Sequence, residues 1–155
     1  MPDKHPISVI VLSYDRPRAL RTLLQGLQGQ RFDDLEMELI VCNNAADVHL
    51  SDSRWNRTGR LLRGFRDVKI LNSSHNWLCR VRYPLTSLAN NDTVVFLDDD
   101  VVLKDPGFLQ YMYATFQTVR PVDILACWTS LWTEWNDDHL KKVRMNFASP
   151  DPGEL

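Results

Sequence analysis

Three consecutive aspartates, Asp98, Asp99 and Asp100, form the part of this sequence best suited to chemistry. They follow the apolar run 94–97, whose β-branched and aromatic residues predict a buried parallel strand. Adjacent carboxylates repel one another unless a positive charge lies among them, so the run predicts part of a cation site. Oxygen ligands of this kind favour Mg2+ or Mn2+. The alternative is that one aspartate caps the next turn and the other two are solvated.

Polar residues also follow two earlier apolar runs, 7–12 and 37–42. These residues are Tyr14, Asp15, Arg16, Asn43 and Asn44. Open α/β sheets bind ligands at the edge where the carboxyl ends of their strands meet. An aromatic ring and amides suit a base and a ribose, and carboxylates with a divalent cation suit a diphosphate. Together with the aspartates, they predict a nucleoside diphosphate ligand.

The elements that position these residues alternate between strand and helix. A helix is predicted to begin after Asp15 as its N-cap, with Pro17 in its first turn, and to end at Gly29. Its apolar face is formed by Leu20, Leu23, Leu24 and Leu27. Strands are predicted over 7–12, 37–42, 68–71, 94–97 and 122–128. This order predicts an α/β fold, a three-layer sandwich with a mostly parallel central sheet, in one domain over 1–155.

The segment 49–66 carries arginines at a spacing of three, which favours a surface helix with exposed arginines over an anion-binding face. They are Arg54, Arg57, Arg60, Arg63 and Arg66.

Two later helices are also predicted. A helix over 78–89 should direct Val81, Leu85 and Leu88 inward, with Pro84 able to shorten or kink it. A second helix should follow Asp105 as its cap, with an apolar face of Leu109, Met112, Tyr113 and Phe116. Beyond Trp128 the periodicity fades, and the end of the sequence is expected to fray.

The composition excludes several classes of protein. The sequence has 155 residues, 44% of them hydrophobic, and a formal net charge of -2, which argues against binding nucleic acid through its phosphates. Three separated cysteines, at 42, 79 and 127, lack the spacing of metal ligands. No run reaches the length of a membrane span. We therefore expect a cytoplasmic protein without a transmembrane segment.

Three stretches, 7–20, 38–47 and 94–102, resemble the nucleotide-binding half of family 2 glycosyltransferases of the GT-A fold. The resemblance covers roughly residues 7–116. It implies that Tyr14 and Asp15 lie against the base, that Asn43 contacts base or ribose, and that the three aspartates form a DxD-type element. It also implies donor-binding positions for Asn76 and Arg82.

The sequence departs from the family's pattern at two places. Asn43 and Asn44 stand where an acidic pair is usual, and Leu78 stands where a glycine is common. The register of the aspartates is also open. If the outer pair forms the motif, Asp98 reaches the ribose and Asp100 binds the metal. If the motif is shifted by one residue, Asp99 is the metal ligand.

The resemblance implies transfer of a sugar from a UDP- or GDP-sugar to an acceptor hydroxyl, with inversion. Two alternatives are a nucleotide-sugar-binding module without catalysis and a haloacid dehalogenase-like phosphatase. Glu134 and Asp137 are weak candidates for the catalytic base. The resemblance also leads us to expect a chain that lacks the C-terminal acceptor half, either because it is truncated or because a partner chain supplies that half.

Overall fold

The structure is a computed structural model that describes residues 5–31, 35–45, 47, 50, 56–118, 128–132 and 142–146. The chain divides into two compact units, residues 1–113 and 114–155. The expectation of one domain over the whole sequence stays a prediction.

Strands and helices alternate along the described residues. They are β1 (His5–Ser13), α1 (Pro17–Gln28), β2 (Leu35–Asn43), α2 (Asn56–Leu62), β3 (Val68–Asn72), α3 (Arg82–Thr86), β4 (Thr93–Asp98), α4 (Phe108–Thr118), β5 (Trp128–Trp132) and β6 (Lys142–Asn146). A 3-10 turn, Leu78–Val81, leads directly into α3. In the second unit, β5 and β6 pair antiparallel.

The sheet of the first unit has four parallel strands in the order β3-β2-β1-β4. Its register aligns the carboxyl ends, because Asn72 lies opposite Asn43, Asn43 opposite Ser13, and Leu12 opposite Asp98. The chain moves outward in one direction from β1 through β2 to β3, and β4 then adds on the other side of β1. Such a reversal of direction opens a crevice at the strand ends, where α/β sheets bind ligands.

Both faces of this sheet are covered by helices. On one face, alternate residues of β1 and β2, such as Val9 and Val41, pack with the four buried leucines of α1, with Leu62 of α2 and with Leu109 of α4. On the other face, Ile10 and Ile40 pack against Leu85 of α3. Period-two alternation places these two sets on opposite sides. The predicted three layers and parallel sheet are confirmed.

The start of α1 differs from the prediction. Arg16, not Asp15, is the N-cap residue, and no side chain caps the helix. Asp15 instead has a φ of 47°, in the left-handed region, so the chain turns there before the helix begins. Pro17 and Gly29 hold their predicted positions at the first turn and the C-cap.

Two predictions of burial are wrong in part. In β4 only Leu97 is buried and Phe96 is 42% exposed, because β4 pairs with β1 alone among the described strands. The predicted helix over 78–89 is a 3-10 turn followed by a five-residue helix. As α3 ends at Thr86, Leu88 falls beyond it and is exposed, whereas Leu85 is buried as predicted.

The remaining predicted elements have mixed outcomes. Arg57 and Arg60 are exposed on α2, as a surface helix requires, but α2 ends at Leu62, so Arg63 and Arg66 lie after the helix. Arg54 lies outside the described residues. Asp105 accepts a 2.7 Å hydrogen bond from the Gly107 N–H in the turn before α4. The strand predicted over 122–128 lies outside the description except for its last residue, at which β5 begins.

A buried carboxylate lies on the α3 side of the sheet, and the sequence did not reveal it. Glu38 accepts hydrogen bonds from the Ser8 hydroxyl at 2.6 Å and from the Asn90 N–H at 2.9 Å, and it forms an ion pair with Lys69. Burial of Glu38 acts to raise its pKa, but the hydrogen bonds and Lys69 outweigh burial and lower the pKa below its ordinary value. The network ties β1, β2 and β3 to the segment before β4.

Candidate functional site

Asp99 is the one of the three aspartates whose side chain is buried and hydrogen-bonded to the end of β1. Its carboxylate accepts a 2.8 Å hydrogen bond from the Ser13 hydroxyl and a 3.3 Å hydrogen bond from the Tyr14 N–H, both at the end of β1. Its side chain is 7% exposed, against 55% for Asp98 and 61% for Asp100. The middle carboxylate is therefore held inside the protein, and the two outer ones face solvent.

Two arginines balance the charge of the aspartates. Arg16 Nη1 lies 2.9 Å from Asp100 Oδ2 and 3.5 Å from Asp99 Oδ1. Arg82 forms an ion pair with Asp98. The positive charge that three adjacent carboxylates require is thus supplied here by the first turn after β1 and by the start of α3.

A second group of side chains at this edge is built from amides. Asn44 uses its Nδ2 to donate to Asn76 Oδ1 at 2.8 Å and to the Leu78 carbonyl at 3.2 Å, and its Oδ1 accepts from the Trp77 N–H at 3.0 Å. Asn76 Oδ1 also accepts from the Leu78 N–H at 2.9 Å. Asn44, which is buried, therefore fixes the loop 76–78 over the end of β2.

Asn43 is also buried and is bound within the protein. Its Nδ2 donates to Asn72 Oδ1 at 3.2 Å, and its Oδ1 accepts from the Ala45 N–H at 3.2 Å. Asn72 Oδ1 accepts a further bond from the Leu50 N–H at 3.1 Å. The predicted contact of Asn43 with a base or ribose stays a prediction, and its visible role is to hold the strand end.

The two described non-glycine residues with positive φ both lie at this site: Asp15, and Leu78 with a φ of 54°. A side chain in the left-handed region costs free energy, which glycine avoids. Leu78 stands where the resembled family commonly has glycine, and its conformation accounts for that preference. Asn44 Nδ2, which donates to the Leu78 carbonyl, and Asn76 Oδ1, which accepts from the Leu78 N–H, hold this unfavourable backbone in place.

Exposed aromatic rings border the site. Tyr14 follows β1 and is more than half exposed, and so is Trp77. The rings of Trp77 and His75 meet edge to face, with centroids 5.2 Å apart and planes at 77°. Surfaces of this kind offer a flat apolar contact to a planar ligand.

The acidic run fits a divalent cation only if other ligands complete the coordination. Within the ranges that the structure describes, no group of three or more His, Cys, Asp or Glu side chains is arranged to hold a metal ion. Asp98 and Asp100 nevertheless present exposed carboxylates, the hard oxygen ligands that Mg2+ and Mn2+ favour. Mg2+ is commonly held by one or two carboxylates together with substrate phosphates. The donor set thus fits a cation shared with a diphosphate.

The structure brings most of the predicted site residues to one edge. Tyr14 and Arg16 meet the aspartates, Arg82 meets Asp98, and Asn44 meets Asn76. Asp15 lies in the same loop as Tyr14 and Arg16. Glu134 and Asp137 lie outside the described residues.

Sequence reasoning missed Ser13 and Asn72, which anchor Asp99 and Asn43. Both are the last residues of their strands, and a polar residue at that position was the available signal.

Comparison with known protein families shows which family the chain belongs to. The sequence matches the family described as "Glycosyl transferase family 2" over residues 8–150. The chain belongs to this glycosyltransferase family. No curated protein matches the sequence.

Several solved structures share its fold. The crystal structure of S. aureus TarS 1-349 has a TM-score of 0.59 and 19% identity, covering 79% of this chain and 39% of that chain. The mannosyltransferase PcManGT from Pyrobaculum calidifontis, in complex with GDP-Man and Mn2+, has a TM-score of 0.59 and 18% sequence identity. The match covers 78% of this chain and 35% of that chain. A further S. aureus TarS structure has a TM-score of 0.53 and 17% sequence identity. The match covers 83% of this chain and 24% of that chain.

These neighbours confirm the predicted GT-A fold. The family 2 chain spans 39% or less of the length of each of the three solved chains. Among its described residues, no helix is long and apolar enough to cross a membrane. The cytoplasmic location stays a prediction.

Proposed function

We propose that this family 2 chain binds a nucleoside diphosphate sugar at the carboxyl ends of β1, β2 and β4, and that the sugar is transferred from there to an acceptor hydroxyl. The observation that carries the proposal is the buried Asp99, bound to Ser13 and to the Tyr14 N–H. This anchor fixes the two exposed carboxylates at the switch point of the sheet, beside an exposed tyrosine ring.

The outer aspartates, Asp98 and Asp100, are the proposed metal-binding pair. Asp98 is also proposed to contact the ribose of the donor. The burial of Asp99 supports this register over the shifted one, because a carboxylate held by Ser13 and the backbone is less available as a ligand. Asp98 and Asp100 would hold Mn2+ or Mg2+ together with the donor diphosphate. When bound, the cation would neutralise charge on the leaving diphosphate.

The chain's own residues have separate parts in this proposal. Tyr14 offers its ring to the base, and Asp15 lies beside it in the turn. Arg16 and Arg82 hold Asp100 and Asp98 in place before a ligand arrives. Guanidinium groups at this position also favour a diphosphate, because each offers paired N–H donors to phosphate oxygens.

Asn43, Asn44 and Asn76 have a supporting part. The amides of Asn44 and Asn76 bind each other and the backbone of the loop 76–78, and the amide of Asn43 binds Asn72 and the Ala45 N–H. The three therefore hold that loop and the end of β2 at the rim of the site. We propose that they act on the donor through this positioning, with Asn43 nearest the base.

The donor, acceptor and base are further parts of the proposal. We propose a UDP- or GDP-sugar as donor; the mannosyltransferase PcManGT was solved with GDP-Man and Mn2+. An acceptor hydroxyl attacks more readily when a carboxylate takes its proton. Glu134 and Asp137 remain the candidates for that base, and a partner chain remains a candidate source of the acceptor site.

The test is to incubate the purified chain with a panel of nucleotide sugars and Mn2+ while following binding, donor hydrolysis and transfer to added acceptors. Saturable binding with transfer supports a complete transferase. Binding without any consumption of donor supports the binding-module alternative. Absence of binding to every donor would contradict the proposal.

The phosphatase alternative is tested separately. A phosphatase would hydrolyse a generic phosphomonoester and lose that activity in Asp98→Asn, since its first aspartate would be the nucleophile. The proposed function predicts no such hydrolysis.

A further inference from the structure

The outer faces of α1 and α2 enclose an open groove of about 580 Å3. Arg18 and Arg21 of α1 line one wall, and Arg57 and Arg60 of α2 line the other. The groove shares no residue with the strand-end site. Its volume lies in the range of small-molecule binding clefts.

The four arginines have no carboxylate partner within the part of the chain that the structure describes. Among the described residues, none of the four forms an ion pair, and no aspartate or glutamate lines the groove. Within each helix the two arginines are three positions apart, where like charges repel. Four guanidinium groups around one groove therefore favour a bound anion in a chain whose net charge is -2.

The base of the groove is fixed by packing. Gln28 Nε2 donates a 3.0 Å hydrogen bond to the Leu61 carbonyl, which links the end of α1 to α2. A Cβ at Gly64 would lie 2.5 Å from Gln28 Nε2, so the amide rests directly over this glycine. Leu24, Leu27 and Leu62 are buried in the same core beneath the two helices. The two walls are thus held at a set separation before any ligand binds.

The chemistry of the lining suits an oxyanion such as phosphate. Arginine offers a planar fork of N–H donors that matches phosphate oxygens, and Thr22 and Gln25 add neutral polar groups. Because guanidinium groups line both walls, a ligand with several phosphate groups can contact both walls at once, which favours it over a single phosphate. A concave groove between helices also suits a soluble ligand better than a flat lipid surface.

We propose that this groove is a second binding site, specific for a soluble ligand that carries several phosphate groups. The proposal is independent of sugar transfer at the strand ends. It assigns a function to the arginines of α2, which the donor site does not use.

The test measures binding of inorganic tripolyphosphate by calorimetry, without divalent metal, to four forms of the chain. They are the unaltered chain, Arg18→Gln with Arg21→Gln, Arg57→Gln with Arg60→Gln, and the control Arg31→Gln with Arg66→Gln. Each double variant removes two positive charges from exposed or partly exposed positions, and the control residues lie outside the groove. Arg16→Gln with Arg82→Gln is added to report on the strand-end site, where these two arginines would hold phosphate in the absence of metal.

We expect saturable binding with one site, weakened roughly tenfold or more by either groove variant and changed less than about twofold by the control or by Arg16→Gln with Arg82→Gln. Orthophosphate should bind more weakly than tripolyphosphate. Tripolyphosphate should also raise the melting temperature of the unaltered chain and not that of the groove variants, whose far-UV spectra should be unchanged.

Four results would overturn the proposal. They are no binding of tripolyphosphate, equal weakening by the control pair, loss of binding in Arg16→Gln with Arg82→Gln while the groove variants are unaffected, and binding to phosphatidylserine vesicles without binding to tripolyphosphate.

Discussion

The hydroxyl of Ser13 donates a 2.8 Å hydrogen bond to the carboxylate of Asp99, which lies 86 residues later in the chain. This bond joins the carboxyl ends of β1 and β4, the two neighbouring strands at which the sheet changes direction. It fixes the middle aspartate, so that the flanking carboxylates emerge together at the crevice. The proposed donor site depends on this link.

Ser13→Ala tests the link. The substitution removes one donor to a buried carboxylate, so we expect a loss of about 1–3 kcal/mol in the free energy of unfolding. Urea denaturation measures it. Ser74→Ala, at an exposed loop position, is the control and should change stability by less than about 0.5 kcal/mol. Equal effects of the two substitutions would show that the Ser13 hydrogen bond contributes nothing specific.

Glu38→Gln tests the buried network around Lys69. Gln removes the charge that Lys69 and the Ser8 hydroxyl bind, so we expect a loss of about 2 kcal/mol at pH 7, allowing for the partial exposure of Lys69. Glu36→Gln is the matched control, because the ion pair of Glu36 with Arg66 is exposed and contributes little.

The same network makes a prediction about pH. Because the pKa of Glu38 is lowered on folding, its contribution is fully present above the pKa of an unfolded glutamate and is lost as pH falls through the folded pKa. The difference in stability between the unaltered chain and Glu38→Gln should therefore shrink below about pH 4.3. A difference that stays constant or grows on acidification would contradict this account.

Leu78→Gly should stabilise the protein relative to Leu78→Ala. Both substitutions remove a side chain that is 62% exposed, so little burial is lost in either. Only glycine relieves the left-handed backbone, a gain of about 1 kcal/mol after its greater flexibility in the unfolded chain is counted. Urea denaturation of the pair isolates the backbone effect, and an alanine variant more stable than the glycine variant would contradict it.

Arg82→Gln should make the fold more responsive to metal. The substitution leaves Asp98 without its arginine, costing only about 0.5 kcal/mol because the pair is partly exposed. A divalent cation no longer competes with Arg82, so Mn2+ should raise the melting temperature more in the variant than in the unaltered chain. Arg80→Gln, exposed two residues earlier, should respond like the unaltered chain. A smaller response in Arg82→Gln would argue against a cation at Asp98.

Local patterns predicted much of the fold. The leucines of α1 repeat at helical spacing and are all buried, because a helix presents one face to whatever lies beneath it. Burial in β4 could not be predicted in the same way, since the exposure of Phe96 depends on which strands pair beside it. Leu88 was misplaced because α3 ends at Thr86, two residues before it.

The site shows the same division. The strand ends were predicted because polar residues follow apolar runs directly. The arginine partners could not be, because Arg16 and Asp100 are 84 residues apart in sequence and meet only through the pairing of β1 with β4. Likewise, the hydrogen bonds of the Asn44 amide to the loop 76–78 could not be predicted, because tertiary structure brings that loop to the end of β2.

Binding of UDP and GDP by calorimetry, with and without Mn2+, tests the central claim most directly. The proposal predicts binding of at least one of them that requires the metal, is weakened roughly tenfold or more by Asp100→Asn, and is unchanged by Asp47→Asn, an exposed aspartate outside the acidic run. Failure of both nucleotides to bind with Mn2+, or equal weakening by the two substitutions, would contradict a donor site built on these aspartates.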